Sequence, residues 1–230
     1  MGSPAAVLVP VKGFAGAKAR LAPVLGPDER QALARSLAEV VLAAAAPLPV
    51  LVVCDDADVA AWATAAGARL LLVEPCGLDA AVTEGVAALA AEGVERVVVA
   101  HADLPRAAGL ADLAGSPGDP VTLVPDRVDD GTNVAVVPAA AGFRFAYGPG
   151  SFGRHVTEAR RLGLGPRVVR RADLAWDVDE PEDLPSVEAL SERREARAPD
   201  DTAQCRGGEA ASTTGQPGPW RSSRPASPCT

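Results

Sequence analysis

The first hundred residues alternate short apolar runs with longer segments of helical periodicity. The four apolar runs lie at 5–11, 49–56, 68–74 and 94–103, and the three helical segments between them lie at 26–46, 58–67 and 78–93. The runs are continuously apolar, which is typical of strands that are buried on both faces. Strands that alternate with helices predict an α/β fold, with a mostly parallel sheet, right-handed crossovers and helices on both faces.

The second half of the chain has a less regular pattern. Strands are expected at 120–126, 133–138 and 166–179, and helices at 151–163 and 181–193. Two glycine-containing turns, DDGTN and YGPGS, interrupt them. In parallel sheets ligands bind beyond the carboxyl ends of the strands, so we expect the site where the segments VPVKG, VCDD, VEPCG and AHADLP end their strands.

The last segment of the chain, at 196–230, differs in composition from the rest. It is rich in Arg, Ser, Thr, Pro and Gly, and it has almost no aliphatic residues. Such a segment buries too little apolar surface to offset its ordering entropy. We therefore predict a single catalytic domain at 1–195, followed by a disordered, low-complexity tail.

Net charge and apolar run length exclude several classes of protein. The formal net charge of −8 argues against a general nucleic-acid binder, although a local cluster of cations can still bind a small anion. No apolar run approaches the roughly 18 to 20 residues that a membrane helix needs, and the N-terminus lacks the pattern of a signal peptide. The expectation is a cytoplasmic protein without membrane or nucleic-acid partners.

The four cysteines predict neither a zinc site nor a disulfide framework. None of them forms a CxxC motif, and two of them, Cys205 and Cys229, lie in the tail. Cys54 and Cys76 are expected to be small buried residues near strand ends.

The loop after the first strand concentrates positive charge. Lys12, Lys18 and Arg20 fall within nine residues, and Lys12 and Lys18 are the only lysines in the chain. Gly13 and Gly16 allow the backbone to pass close to a ligand. A glycine-containing loop with nearby cations suits a polyphosphate, and an ordinary solvated loop is the alternative. No GxGxxG motif follows the first strand, which argues against a Rossmann dinucleotide site, and the absence of GxxxxGK[ST] argues against a P-loop protein.

Carboxylates at other strand ends complement these cations. Asp103 ends the fourth apolar run, and Asp177 and Asp179 are two residues apart, so on an extended chain they point to the same side. Three such carboxylates can supply the oxygen ligands that Mg²⁺ prefers. A DxD pair also occurs by chance, and Asp179 could instead cap the helix that follows it. Asp55 and Asp56 form a rival pair that is expected to cap the second helix.

Five segments together resemble a known family. In order, VPVKGFAGAKARLAP, HADLP, DGTN, GPGSFGRH and WDVDEPEDL resemble the phosphoenolpyruvate and 2-phospho-L-lactate guanylyltransferases of coenzyme F-420 biosynthesis. The resemblance covers residues 5–190 and leaves out the tail. It implies a single-domain Rossmann-like nucleotidyltransferase that joins GTP to a phosphorylated three-carbon acid and releases diphosphate.

The resemblance also implies roles for particular residues. Asp103, Asp177 and Asp179 would hold Mg²⁺; Thr132, Gly148 and Ser151 would hold the acid; and Lys12, Lys18 and Arg20 would face the GTP phosphates, with Lys18 stabilising charge in the transition state. Asp79 would lie near the guanine base, at a position where the family often has asparagine. His155 is expected to orient structure or substrate, with an acid–base role as the alternative, and His101 to support the turn of Asp103.

Several alternatives stay open from the sequence. The acid could be phosphoenolpyruvate, 2-phospho-L-lactate or 3-phosphoglycerate, and a composition typical of high-GC bacterial genes favours phosphoenolpyruvate by analogy. A homodimer, and hand-over of the product to the next enzyme of the pathway, are further expectations. Rival readings are a molybdopterin-guanine or sugar-phosphate nucleotidyltransferase, or a non-catalytic nucleotide-binding module.

Overall fold

The computed structural model describes residues 4–116 and 118–184. Within these residues the strands and α-helices follow one another as β1 (Ala5–Pro10), α1 (Pro27–Ala44), β2 (Val50–Cys54), α2 (Ala57–Ala65), β3 (Arg69–Leu72), α3 (Leu78–Ala91), β4 (Arg96–Ala100), β5 (Val121–Pro125), β6 (Thr132–Pro138), α4 (Ser151–Arg161) and β7 (Pro166–Val168). The alternation predicted for the first hundred residues is confirmed, with ends that shift by a few residues.

All seven strands form one sheet in the order β3-β2-β1-β4-β6-β5-β7. The first four strands run parallel to one another, β6 is antiparallel to both of its neighbours, and β7 is parallel to β5. The sheet is therefore mostly parallel, as predicted. After β3 the chain returns to the other side of β1 to form β4, so a crevice opens between the carboxyl ends of β1 and β4.

Helices cover both faces of the sheet. On one face, α1 and α2 pack against alternate residues of the central strands, such as Val7 and Val52. On the other face, α3 and α4 pack against the residues between them, such as Leu8 and Val99. Since alternate strand residues point to opposite faces, continuously apolar strands are what two helical layers require.

Local sequence signals set the helix starts. Pro27 is the first residue of α1, and the carboxylate of Glu29 accepts a hydrogen bond from Gly26 N at 2.7 Å. Asp56 caps α2 by accepting hydrogen bonds from the amides of Asp58 and Val59 at 2.9 and 3.0 Å. Asp56 thus acts as the helix cap that the sequence indicated.

The strand predicted at 166–179 is wrong for most of its length. Only Pro166–Val168 pair with β5, at the edge of the sheet. The chain then turns, with Leu174 N and Ala175 N both donating to Arg171 O. Beyond the turn it runs along the end of β4, where Val178 N donates to Asp103 O at 3.2 Å. An extended, partly apolar segment that crosses strand ends has the same sequence pattern as a strand, but it joins no ladder.

Part of the prediction for the C-terminal region lies outside the described residues. The helix expected at 181–193 begins as a 3₁₀ turn at Pro181–Asp183, and its remainder lies outside. The same holds for the boundary at 195, the tail at 196–230, Cys205 and Cys229. Among the helices that the structure describes, none has both the length and the hydropathy needed to cross a bilayer.

Candidate active site

A cleft of about 520 Å³ opens at the carboxyl ends of β1 and β4. One wall is the loop that follows β1, including Lys12, Lys18 and Arg20. The opposite wall includes Asp103 and Asp179. The cleft therefore brings together the cationic loop and two of the three carboxylates that the sequence singled out.

The cationic loop is anchored to the domain by buried apolar side chains. Two short 3₁₀ turns, Phe14–Gly16 and Ala19–Leu21, shape it, and Phe14 and Leu21 are buried. Phe14 packs edge-on against Trp62, with ring centroids 5.2 Å apart. Gly13 passes so close to α2 that a Cβ atom there would lie 2.7 Å from Asp56 Oδ2. Apolar anchors and a close backbone approach thus hold the loop against the domain.

Lys18 bridges the two carboxylates across the cleft. Its Nζ atom lies 2.8 Å from Asp103 Oδ2 and 3.1 Å from Asp179 Oδ1, and only 10% of its side chain is exposed. Its backbone is left-handed, with φ of 53°, a conformation rarely adopted by residues other than glycine. Arg20 continues the network at the rim, with Nη1 3.1 Å from Glu180 Oε1 and 4.0 Å from Asp179 Oδ2.

The charges of this cluster depend on one another. Burial alone would lower the pKa of Lys18, but Asp103 and Asp179 outweigh it and the pKa is raised, so the ammonium form is favoured. Burial alone would raise the pKa of Asp103, but the adjacent ammonium outweighs it and the pKa is lowered. Asp177 behaves differently: burial first, and then repulsion by Asp103 and Asp179, raise its pKa. The three aspartates are therefore close enough to influence one another.

Asp183 caps the turn at Pro181, so the side chain of Asp179 is not needed as the cap and can face the cleft. The Oδ2 atom of Asp183 accepts hydrogen bonds from Asp179 N and Glu180 N, both at 2.9 Å, and its Oδ1 atom accepts one from Arg127 at 2.7 Å. Asp183, and not Asp179, caps the turn that begins at Pro181. The signal was present in the sequence, since an acid at the third position of a proline-led turn is a capping pattern.

The acceptor atoms of this cluster determine whether it suits a divalent cation. In the part of the chain that the structure describes, no three acidic, His or Cys side chains are already arranged as a metal site. The Lys18 ammonium lies between Asp103 and Asp179. The Oδ1 atom of Asp103 is nevertheless buried without a hydrogen-bond partner. The spare buried acceptor of Asp103 lies near Asp177, whose negative charge is disfavoured by its neighbours, and carboxylate oxygens of this kind would suit a divalent cation.

The two glycine-containing turns meet on the other side of β4. Asp126 organises the DGTN turn by accepting hydrogen bonds from the amides of Val128, Asp130 and Gly131. Asp130 then joins this turn to GPGSF, since its Oδ2 atom accepts from Gly150 N and its carbonyl accepts from Phe152 N, both at 2.9 Å. Turns about twenty residues apart in the sequence are thereby held as one surface.

The three residues expected to hold the acid belong to these joined turns. Thr132 and Ser151 are buried, at the start of β6 and of α4, and Gly148 is exposed with φ of 95°. The ring of His155 lies behind them, with both nitrogen atoms engaged. Its Nε2 atom accepts from Ala146 N at 2.9 Å, so the proton lies on Nδ1, which is 3.0 Å from Thr132 Oγ1.

His155 is suited to orienting Thr132 and unsuited to acid–base work. Burial, reinforced by Arg154, lowers the pKa of His155 to about 4, so the ring is neutral near pH 7. A neutral ring that donates to Thr132 Oγ1 leaves the threonine hydroxyl proton free to point elsewhere. Of the two roles that the sequence left open for His155, the geometry supports the orienting role.

Comparison with protein families decides the assignment of the chain. Residues 5–197 match the model of the family described as guanylyl transferase CofC like. The chain belongs to this family.

Relatives within the CofC-like family carry two names. A phosphoenolpyruvate guanylyltransferase of Rubrobacter xylanophilus is 38% identical over 190 residues, which cover 79% of this chain and 92% of that protein. Another from Sphaerobacter thermophilus is 38% identical over 184 residues, covering 77% and 89%. A 2-phospho-L-lactate guanylyltransferase of Methanothermobacter thermautotrophicus is 34% identical over 199 residues, covering 83% and 86%.

Solved structures support the nucleotidyltransferase-like fold of this CofC-like chain. A protein from Desulfovibrio desulfuricans G20, described as a nucleotide-diphospho-sugar transferase, superposes with a TM-score of 0.65 at 20% identity, covering 84% of this chain and 96% of that one. A CMP:2-keto-3-deoxy-manno-octonic acid synthetase solved with CTP gives 0.57 at 14% identity, covering 84% and 100%. At these identities the likeness shows the fold alone.

Asp79 lies beside the GPGSF turn and does not form part of the wall of the cleft. It lies in the first turn of α3, and its Oδ1 atom accepts a hydrogen bond from Tyr147 N at 2.8 Å. The neighbouring residue Leu78 lines the cleft, whereas Asp79 is not among the lining residues. The role of Asp79 near a guanine base stays a prediction, and the structure adds a link from α3 to the GPGSF turn.

A second, smaller cavity of about 30 Å³ adjoins the cleft and shares Lys12 and Leu78 with it. It lies at the ends of β2 and β3 and is also lined by Cys54 and Cys76. Cys54 is buried, as expected, but the expectation for Cys76 is wrong because Cys76 is exposed. It lies in the loop after β3, which is an edge strand with little covering it.

Proposed function

We propose that this CofC-like guanylyltransferase transfers GMP from GTP to the phosphate of phosphoenolpyruvate, as in coenzyme F-420 biosynthesis. The products would be enolpyruvoyl-2-diphospho-5'-guanosine and diphosphate. The observation that carries the proposal is Lys18, held at a cleft between Asp103 and Asp179, with the joined DGTN and GPGSF turns nearby. The names of the bacterial relatives support phosphoenolpyruvate as the acid.

The cationic loop supplies the nucleotide side of the reaction. Lys12, Lys18 and Arg20 all line the cleft, and the structure assigns Lys12 no ion pair with another described residue. Positive charge on one wall of the cleft attracts a triphosphate and holds its phosphates near the strand ends. Lys18 is closest to the aspartates, and there its ammonium stabilises the negative charge that develops on the α-phosphate.

Asp103, Asp177 and Asp179 would hold Mg²⁺, which neutralises phosphate charge and acts as a Lewis acid when bound. The spare acceptor of Asp103 and the raised pKa of Asp177, whose charge is disfavoured by its neighbours, support this assignment. The chain itself contributes the rigid positions of the three carboxylates, set by β4 and by the capped turn at Asp183.

The acid would bind at Thr132, Gly148 and Ser151. Its phosphate is already an anion near neutral pH, so no strong base is needed and none is offered by the neutral His155. Catalysis then depends on holding this phosphate in line with the α-phosphorus of GTP. The hydrogen bond from Gly150 to Asp130 fixes the DGTN and GPGSF turns relative to β6, which supports a role for these turns in positioning the phosphate.

The proposal is tested by measuring diphosphate release from GTP with phosphoenolpyruvate, 2-phospho-L-lactate and 3-phosphoglycerate in turn, at fixed Mg²⁺. Turnover that is fastest with phosphoenolpyruvate supports the proposal, and turnover only with 2-phospho-L-lactate would replace the acid. Asp103→Asn should lose activity, whereas Asp28→Asn, an exposed acid on α1, is the matched control and should not.

Release of diphosphate without any of these acids, or from CTP and ATP as readily as from GTP, would contradict the proposal. The nucleotide series also tests Asp79, because loss of guanine preference in Asp79→Ala is the result expected if it contacts the base. The homodimer, the hand-over of product to a further enzyme and the cytoplasmic location stay predictions.

A further inference from the structure

Two buried polar atoms beside the cleft lack hydrogen-bond partners. Neither His101 Nε2 nor the hydroxyl of Tyr147 is hydrogen-bonded within the described part of the chain. The two rings are in contact, with centroids 4.9 Å apart and planes inclined by 51°. Buried polar groups are nearly always hydrogen-bonded in native proteins, so a pair of adjacent exceptions at a cleft points to a hydrogen bond that forms only when a ligand is bound.

Both residues adjoin the turns proposed to hold the acid. His101 continues β4 and its backbone N–H donates to Asn133 O at 3.0 Å, next to Thr132. Tyr147 directly precedes Gly148, and its ring packs against His155, which donates to Thr132. His101 lines the cleft, whereas Tyr147 contacts His101 without being a lining residue. The sequence alone predicts for His101 only a supporting role in the turn of Asp103.

The chemistry of the two groups is complementary. Burial raises the pKa of Tyr147, so its hydroxyl stays protonated and can donate. A neutral imidazole can accept at Nε2 only when its proton lies on Nδ1. An anion that enters the cleft beside His101 favours a donor facing it, and so favours the tautomer in which Nδ1 carries the proton. That tautomer leaves Nε2 as an acceptor for the hydroxyl of Tyr147, and a small shift of the two contacting rings would form the hydrogen bond that the free protein lacks.

We propose that His101 contacts the carboxylate of the phosphorylated acid through Nδ1–H, and that Tyr147 is a positioning residue whose hydroxyl donates to His101 Nε2 once the acid is bound. The inference rests on the proposed function, because it concerns the same acid. The carboxylate is the relevant group since the phosphate must face the α-phosphorus beside Lys18. His101 thereby distinguishes phosphorylated acids by where their carboxylate lies.

Two substitutions of His101 separate its ring nitrogens. Asparagine places an amide donor near the position of Nδ1, and glutamine places one near Nε2. His101→Asn should keep KM for phosphoenolpyruvate within about threefold, whereas His101→Gln should raise it about tenfold or more, the loss typical of a hydrogen bond to a charged group. KM for GTP should stay constant in both. Equal KM values for the acid in the two variants and the wild type, or a shift in KM for GTP alone, would overturn the proposal.

Tyr147→Phe tests the positioning role with a change of one atom. Removing a hydroxyl that has no partner in the free protein should leave Tm unchanged or higher. KM for phosphoenolpyruvate should nevertheless rise about threefold or more, because the tautomer of His101 is no longer held. Thr157→Val is the matched control, since its exposed hydroxyl already bonds Gly153 O within α4 and should not affect KM. A fall in Tm with KM unchanged would assign Tyr147 to packing alone.

Two further measurements would be unaffected if Tyr147 only packed against its neighbours. They are the energetic coupling between Tyr147 and His101 and the tautomer of the His101 ring. In the double variant with His101→Gln, Tyr147→Phe should add no further rise in KM, whereas multiplied effects would show that the residues act separately. Nitrogen-15 NMR of the imidazole should show His101 becoming Nδ1-protonated on addition of phosphoenolpyruvate and not of GTP. If the wild-type protein uses phosphoenolpyruvate as a substrate but the tautomer of His101 does not change when the acid is added, this inference is overturned and the proposed function stands. Wild-type protein that neither binds nor uses the acid overturns both.

Discussion

Replacing Lys18 by methionine should strengthen metal binding in the absence of nucleotide. The Lys18 ammonium lies 2.8 Å from Asp103 and 3.1 Å from Asp179, which are two of the carboxylates proposed to hold Mg²⁺. A cation that uses these oxygens must first displace the ammonium. Methionine keeps most of the side-chain length and volume but removes the charge, so it leaves the carboxylates to the metal.

The size of the effect follows from the two ion pairs. At an effective dielectric constant of about 20, unit charges at these separations attract by roughly 5 to 6 kcal/mol per pair before desolvation is subtracted. A hydrogen bond to a charged group contributes about 1.5 to 3 kcal/mol net, and we take less than about 1 kcal/mol for Asp179 because it is well exposed. A sum of about 2 to 3 kcal/mol corresponds to a Kd lower by a factor of roughly 30 to 150.

The measurement is titration of Mn²⁺ followed by electron paramagnetic resonance, with and without a non-hydrolysable GTP analogue. Lys18→Met should bind Mn²⁺ more tightly than the wild type without nucleotide, and the difference should shrink when the analogue draws Lys18 of the wild type towards its phosphates. Lys12→Met is the matched control, because Lys12 lines the same cleft and has no ion pair with a described residue. Its Mn²⁺ affinity should change by less than about threefold, since separated charges are screened.

Thermal stability provides a second test of the competition between Lys18 and a metal ion for the carboxylates. Without metal, Lys18→Met should have a lower Tm than the wild type, because Asp103 is left as a buried carboxylate with no cation beside it. Mn²⁺ should restore much of that loss. An unchanged or weaker Mn²⁺ affinity in Lys18→Met, together with a Tm that does not respond to Mn²⁺, would refute the idea that Lys18 and a metal compete for the same oxygens.

Two other comparisons test the site and the core. Burial and its neighbours raise the pKa of Asp177, so its ionisation disfavours the folded state above that pKa; Asp177→Asn should therefore keep or raise Tm at pH 7 while turnover falls on the order of 100-fold. The pKa of Asp103 is lowered, so its charge contributes stability that is lost as the pH falls through that pKa, and Asp103→Asn should lower Tm at pH 7. In the core, Gly85→Ala places a Cβ atom 2.7 Å from Leu8 and should cost about 1 to 3 kcal/mol in urea unfolding. The matched change Gly153→Ala, where the added Cβ meets nothing within 4 Å, should be neutral or gain up to about 1 kcal/mol.

The architecture could be predicted because it depends on periodicity. Continuously apolar strands such as Ala5–Pro10 and Arg96–Ala100 require helices on both faces, and the sequence supplies helical segments between them. The segment at 169–179 could not be assigned in the same way. Its extended backbone looks like a strand locally, and only the position of the neighbouring strand ends decides that it bonds Asp103 and Asn133 and joins no ladder.

The site could be predicted only as far as residue types and strand ends go. The sequence placed the cationic loop, Asp103 and Asp179 at one edge of the sheet. It could not show that Lys18 bridges the carboxylates, because that contact spans 161 residues and depends on where the loop turns. It missed Asp183 as the cap, although an acid at the third position of a proline-led turn is a capping pattern. It also missed the half-buried position of His101 at the cleft, because that depends on how the end of β4 meets the loop after β1.

The position of the two lysines at the cleft has a physical explanation. Lys12 and Lys18 are the only lysines among 22 cationic residues, and both line the same cleft. The other wall of that cleft offers oxygens 2.8 and 3.1 Å from Lys18 Nζ. A compact ammonium with rotatable donors bonds both, whereas a guanidinium is larger and presents its donors in a fixed planar fork. An ammonium on a flexible stem can also leave those oxygens for a phosphate without breaking a bidentate fork. Arg96 makes a fixed contact of the other kind, holding three backbone carbonyls in the core. On the proposed function, Lys18 stands instead where the bonding partner changes from carboxylate to phosphate during turnover.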